Sequence, residues 1–335
     1  MSSLRFPSLK PWLRVLREED ALVLEHARTS WSFDGPTATV ALAELLPLLD
    51  GTRTVPEIVR LVGDEFAESI ESLVFLLQEH GLLLEGPPVP DGTPAAVSES
   101  VLQLAASDPR QAPQLSPVLT RLRDAQISVV GGAVLGTTAA ETLRASGFDN
   151  ITRCEDIPEQ APAVGQYALV LATPASDEID DLVRWNEVML AGSTTWLPVL
   201  PYDGLFAAVG PLIVPWETAC YRCYLSRKAA ALGVPTIVDS QRKRSGIFPT
   251  GPALGTFLAA LASMVVSRWV AIRDPFLPGR MLALDFGYEG PRLQGHDVLR
   301  VPRCAACSTA PGPMPLPWYD RNSAGPTEEL DLGTP

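Results

Sequence analysis

Short alternating runs open the chain. Leu13–Arg17, Ala21–His26 and Thr29–Phe33 each read as a strand, separated by Glu19-Asp20 and by a tight turn near Ala27-Arg28. In the third run Trp31 and Phe33 share one face, and Ser30 and Ser32 take the other. Asp34-Gly35-Pro36 breaks the pattern, and the apolar period then lengthens to that of a helix. Val40, Leu42, Leu45, Leu46 and Leu49 mark the first helix, which Pro47 should kink and Asp50-Gly51 should end. Thr54 and Glu57 stand three apart as a capping box, which starts a second helix through about Val62. A third helix near Phe66–His80 carries Phe66, Ile70, Leu73, Val74 and Leu77 on one stripe. Gly81 should cap it, and Leu82-Leu83-Leu84 reads as a short wing. Three strands and three helices thus form a winged-helix-like unit.

A Pro/Gly hinge at 87–94 suggests a boundary, and residues 87–125 read as a linker with helical segments at Val101–Ala106 and Ser116–Arg123. A βαβ pattern follows: strand Gln126–Val130, a loop Gly131–Gly136, helix Thr137–Ser146, and strand Ile151–Arg153. Then come strand Tyr167–Ala172, a helix from about Asp177 to Ala191 and strand Thr195–Leu200. The glycine loop keeps the first and last glycines of G-x-G-x-x-G but places Ala133 in the middle, which disfavours close approach of a phosphate. Glu155 and Asp156 stand where a ribose-binding acid would sit. The overall expectation is α/β.

Charge narrows the partners. The 335 residues carry a formal net charge of −13. Residues 1–90 hold 7 Lys/Arg against 14 Asp/Glu, a balance of 7 − 14 = −7. The third helix has Glu68, Glu71 and Glu79 and no basic residue, the wrong sign for a nucleic-acid backbone. The most apolar run, Ala253–Ser267, meets Arg268 after 15 residues, too short for a bilayer span. No signal peptide is apparent, so a reducing cytoplasm is expected. There, four of the five cysteines fall into two C-x-x-C pairs, Cys220/Cys223 and Cys304/Cys307. Two such pairs complete the sulfur shell of a structural zinc; two redox dithiols are the other reading. Cys154 reads as an ordinary core thiol. The three histidines, His26, His80 and His296, form no catalytic motif.

Two resemblances rest on these residues. Pro11-Trp12-Leu13, Trp31-x-Phe33-Asp34-Gly35, Leu48-Leu49-Asp50-Gly51-Thr52-Arg53-Thr54 and Gly81-Leu82-Leu83, in that order, resemble the PqqD-like recognition element of peptide natural-product biosynthesis. The Gly-rich βαβ start, the Gly210-Pro211-Leu212-x-Val214-Pro215 run into Cys220-x-x-Cys223, and the second cysteine pair resemble the ThiF/MoeB superfamily of adenylating enzymes. The chain departs from the latter. Ile157–Gln166 contain no Lys or Arg to hold ATP phosphates, and Thr173-Pro174 replace an expected aspartate that only Asp177, in a shifted register, could supply. Arg242, Lys243 and Arg244 lie elsewhere and read as a solvated loop.

Together the resemblances imply an ocin-ThiF-like partner protein of thiazole/oxazole pathways: residues 1–86 a recognition element, 126–311 a degenerate ThiF/MoeB-like domain with structural zinc, and 312–335 a disordered tail. Such a protein binds a precursor leader peptide and presents the precursor to a separate YcaO-type cyclodehydratase, with no ATP and no catalytic residue of its own. A homodimer is compatible with this; nucleic acid and membrane are not expected. The leader would add along Trp31, Ser32 and Phe33, with Ile70, Val74 and Leu77 as candidate wall residues. The alternative is an active adenylating enzyme acting on a peptide C-terminus.

Overall fold

The computed structural model describes residues 4–26, 28–108, 114–159, 169–175, 178–233, 250–287 and 290–308. The expectations for Arg242, Lys243, Arg244 and Asp177, for most of Ile157–Gln166 and for the tail lie outside these residues.

The chain begins with β1 (Pro7–Leu9), β2 (Arg14–Arg17), β3 (Ala21–His26) and β4 (Thr29–Asp34). Strands β2, β3 and β4 form an antiparallel sheet in that order, with Leu24 opposite Val15 and Trp31, and Leu22 opposite Arg17 and Phe33. Period-two alternation sends Leu22 and Leu24 to one face, where both are fully buried. Three helices close that face: α1 (Pro36–Leu45), α2 (Val55–Val62) and α3 (Ala67–Glu79). Pro47 falls in a 3-10 turn, Leu46–Leu48, so the first helix ends before the proline rather than bending through it. The capping box forms as the spacing requires, with the Thr54 backbone N–H donating to Glu57 Oε2 at 2.8 Å.

The expected wing is instead β5 (Leu83–Glu85), paired antiparallel with β1, a strand too short to show a period. The Glu85 carboxylate accepts the N–H groups of Arg5 and Phe6 at 2.8 and 2.7 Å, which anchors the start of the chain.

Next come α4 (Ala95–Ala106) and α5 (Leu115–Asp124), then β6 (Gln126–Val130), α6 (Ala133–Ala145), β7 (Asn150–Cys154), β8 (Leu169–Ala172), α7 (Asp181–Ala191), β9 (Trp196–Leu200), β10 (Phe206–Val209), α8 (Tyr221–Leu232), α9 (Pro252–Ile272), β11 (Arg280–Gly287) and β12 (Gly290–Asp297). Seven strands make one sheet, in the order β12-β11-β10-β9-β8-β6-β7. The half containing β7, β6, β8 and β9 is parallel; the β9-to-β12 half is antiparallel.

Strand β8 shows why its sequence does not alternate. Leu169 and Leu171 face a core built with α4, α5, α6 and α9, while Val170 and Ala172 face a second core with α7 and α8. The helices expected within a linker are therefore packed into the first core, through Val97, Val101, Leu119 and Leu122.

Helix α9 runs through Arg268, not up to it, and its 21 residues are long and apolar enough to cross a membrane. Within this fold, 67% of its most apolar window is buried inside the protein. Arg268 can sit in the helix because its guanidinium is satisfied internally, donating to Asp274 Oδ2 at 2.6 and 2.8 Å and to Ser107 Oγ at 2.8 Å. Helix burial is accordingly one-sided. Leu258→Ala should cost about 2–5 kcal/mol in urea unfolding, and Phe257→Ala, at a 42% exposed position on the same helix, well under half of that.

Candidate functional site

Cys220 is the N-cap of α8, and Cys223 lies in its first turn. Exposed N–H groups at a helix N-terminus favour thiolate over thiol there. The first of these N–H groups, that of Tyr221, is taken by Asn186 Oδ1 of α7 at 2.9 Å, which fixes the approach of the helix. The second pair follows β12 in a turn in which the Cys304 N–H donates to Val301 O and that of Ser308 to Cys304 O. All four cysteines are buried, and their sulfurs lie within 4.8 Å of one another.

Individual separations are 3.8 Å for Cys220–Cys223, 3.7 Å for Cys220–Cys304 and 3.5 Å for Cys223–Cys307. Four sulfurs each ~2.3 Å from a central zinc stand ~3.8 Å apart at the corners of a tetrahedron. The cluster fits a metal, and the all-sulfur donor set suits zinc. With four protein ligands such a site is structural, since no position is left for water. Proton sharing within the cluster already favours a thiolate. The hydrogen bond from Cys220 holds the Cys223 thiol well below the usual thiol range, and the same contact pushes Cys220 upward. The Val301 N–H adds a further donor to Cys223 Sγ at 3.3 Å.

The glycine loop has a different character. Strand β6 ends at Val130, and the turn into α6 is only Gly131-Gly132, so Ala133 begins the helix instead of lying in the loop. Gly131 has φ +89°, and a Cβ on it would lie 2.9 Å from Thr173 O. On Gly132 that distance would be 2.6 Å. Both glycines are thus required by the neighbouring 173–175 backbone.

Two of the chain's own side chains bond the backbone of the loop. Glu178 Oε2 accepts the N–H of Ala175 at 2.8 Å and that of Gly132, at the helix N-terminus, at 3.5 Å. The Arg153 guanidinium donates to Gly131 O and Gly132 O at 3.2 and 3.4 Å, and packs where a Cβ on Gly136 would go. Thr173, standing where an aspartate was expected, is buried and donates its hydroxyl to Val130 O and Gly131 O. Glu155 and Asp156 are exposed just past β7. Glu178 and Arg153 carried no periodic or motif signal; their role appears only when β7, β8 and the loop are side by side.

In the first unit, Trp31 and Phe33 on β4 are half-buried against the core, and Ser32 points outward, bonding Asp34 Oδ1 at 2.8 Å. Strand β4 pairs with β3 alone among the described strands, so its outer edge is open. The Trp31 ring lies 5.3 Å from that of His80, which puts the end of α3 beside this edge. Ile70, Val74 and Leu77 are buried at 4%, 5% and 0% exposure. The stripe named as a wall is the stripe that fills the core, because periodicity marks an apolar face without saying what covers it. The residues of α3 on the His80 side are Leu76 and Leu73, four and seven positions earlier; Leu76 is 39% exposed and Leu73 half-buried.

No family model matches the chain, and no curated protein does. Solved structures do. The heterocyclase TruD superposes with a TM-score of 0.62 at 20% identity, over 90% of this chain and 43% of that one. MccB of E. coli superposes with a TM-score of 0.64 at 12% identity, over 90% and 97%. MccB has also been crystallised with AMPCPP and MccA, and in that state it matches with a TM-score of 0.60 at 13% identity, over 90% and 99%. The chain spans less than half the length of the heterocyclase and nearly all of MccB. At these identities the likeness is one of fold, a mixed α/β architecture shared with these structures.

Two outcomes follow from the geometry. The purified chain should contain one metal ion, released as pH falls because protons compete for the thiolates, and Cys304→Ser should lose it together with several degrees of melting temperature. Elemental analysis and calorimetry check both. Glu178→Ala should lower stability by about 1–2 kcal/mol in urea unfolding, since it leaves the Ala175 N–H without its acceptor.

Proposed function

We propose that this protein binds the leader of a ribosomally made precursor peptide and presents the precursor to a separate YcaO-type cyclodehydratase for azoline formation. The carrying observation is the open edge of β4 beside α3. The turn between β3 and β4 is two residues, closed by the pair His26 and Thr29. An antiparallel ladder alternates from such a pair, so it aims the backbone of Trp31 and Phe33 at β3 and that of Ser30 and Ser32 at the open edge. A peptide adding there gains main-chain hydrogen bonds. Its inward side chains meet Trp31, Phe33, Leu73, Leu76 and His80.

In this reading residues 1–86 are a PqqD-like, winged-helix-like recognition element. Residues 126–311 are a degenerate ThiF/MoeB-like domain held by a structural zinc, and 87–125 join the two. The likeness in fold to a heterocyclase supports a role in peptide modification. A heterocyclase crystallised in complex with substrate and cofactor, and MccB crystallised with MccA, share this fold and support a substrate-binding role.

The second reading, an adenylating enzyme, draws on the match to MccB, which has been crystallised with ATP over a similar span. Against it stand Glu178 at the N-terminus of α6 and the absence of Lys and Arg from Ile157–Gln166. A carboxylate at the helix N-terminus repels a phosphate, and adenylyl transfer needs positive charge at the triphosphate. ATP–pyrophosphate exchange separates the readings: robust exchange by the isolated chain would overturn the first.

Leader binding itself is measurable by fluorescence anisotropy, using labelled leaders encoded beside this chain. Ser32→Pro removes an outward N–H, and Leu76→Glu places a charge in the groove. Each should weaken binding at least ~10-fold with metal content unchanged. Binding that survives both changes and deletion of residues 1–86 would put the leader site elsewhere.

A further inference from the structure

Two arginines hold the cysteine-bearing segments to each other from opposite sides. Arg227 lies four residues beyond Cys223 on α8, on the same face of the helix. Its guanidinium reaches across to the second segment, donating to Leu299 O and, at 3.0 Å, to Arg300 O. Arg300 reaches back, with Nη1 donating to Trp216 O at 2.8 Å and Nη2 to Cys307 O. One planar fork therefore spans the backbone ahead of Cys220 and the backbone of Cys307 itself. The residue after Arg300, Val301, donates its N–H to Cys223 Sγ at 3.3 Å, so moving Arg300 also moves a donor to a ligand sulfur.

Backbone conformation adds a second reason. Trp216 has φ +68° and Arg303 has φ +57°, both in the left-handed region that bulky side chains rarely adopt. Such conformations persist only where the surroundings over-determine them. The Trp216 carbonyl is held by Arg300, and Arg303 immediately precedes Cys304. Four thiolates around one dication also leave net negative charge, which a fixed guanidinium offsets.

We propose that Arg300 is a positioning residue for a metal ion held by Cys220, Cys223, Cys304 and Cys307, with Arg227 as its counterpart on α8. The assignment is independent of the peptide-binding reading and depends only on the cysteine cluster. It is tested on the full chain by competition with a chromogenic chelator, using zinc and then cobalt(II) as the metal. Arg300→Ala should weaken zinc affinity about 10–100-fold and shift the visible d–d bands of the cobalt form. Arg300→Lys keeps the charge without the fork, and should recover only part of the loss. Arg268→Ala removes the guanidinium–carboxylate contact with Asp274 elsewhere in the fold; it should lower the melting temperature and leave metal affinity and cobalt bands unchanged.

If Arg300→Ala does not fold, Arg300→Lys and Arg227→Met carry the test, each with weaker zinc binding than wild type. The assignment falls if affinity and cobalt bands stay within about twofold of wild type in these variants. It falls equally if Arg268→Ala weakens the metal as much, or if the wild-type chain binds neither ion.

Discussion

Two pairs of thiols 84 residues apart in sequence must meet within 4.8 Å, and much of the second half of the chain is arranged around that meeting. Between the pairs the chain lays down α8, sends α9 through the larger core and returns as β11 and β12 on the antiparallel side of the sheet. The cluster closes this loop. Closure costs entropy that grows slowly with loop length, so a long loop is fastened nearly as cheaply as a short one. Helix α9 lies within this loop and packs against α5, α6 and the sheet, so a helix with the length and hydropathy of a membrane span serves as core.

The glycine loop shows that a sequence signature can also answer to the packing of the chain itself. Gly131 and Gly132 remain because the 173–175 backbone leaves no room for a Cβ, and Gly136 because Arg153 fills the space. A carboxylate of the same chain stands at the helix N-terminus where an anionic ligand would. Motif and geometry point in different directions here, and only the second says which groups the loop faces.

Much of the fold was legible because local rules agree with tertiary ones. Leu22 and Leu24 alternate as a half-buried strand must, and Thr54 with Glu57 caps α2 by side-chain chemistry that needs no neighbours. The cysteine site could be read directly, since spacing alone declares two converging pairs. What could not be read depends on contacts between distant segments. Strands β11 and β12 belong to a long hairpin whose outer strand is exposed along most of its length, so no apolar period announces them. Strand β1 has three residues and exists through β5. Ile70, Val74 and Leu77 form one face of α3, as their spacing predicts, but that this face meets the core is a property of the fold.

The open edge of β4 has a consequence for the protein at high concentration. An unpaired strand edge is a template for any other extended chain, including the same strand of a second molecule. Strand β4 has six residues, ends in Asp34, and belongs to a stretch whose charges sum to 7 − 14 = −7. Two copies approaching edge to edge repel each other before their backbones can pair. That protection is electrostatic, with a reach of ~10 Å at 0.1 M salt that shrinks to ~3 Å at 1 M. Ionic strength therefore sets how crowded the free protein can become before its sheets begin to join.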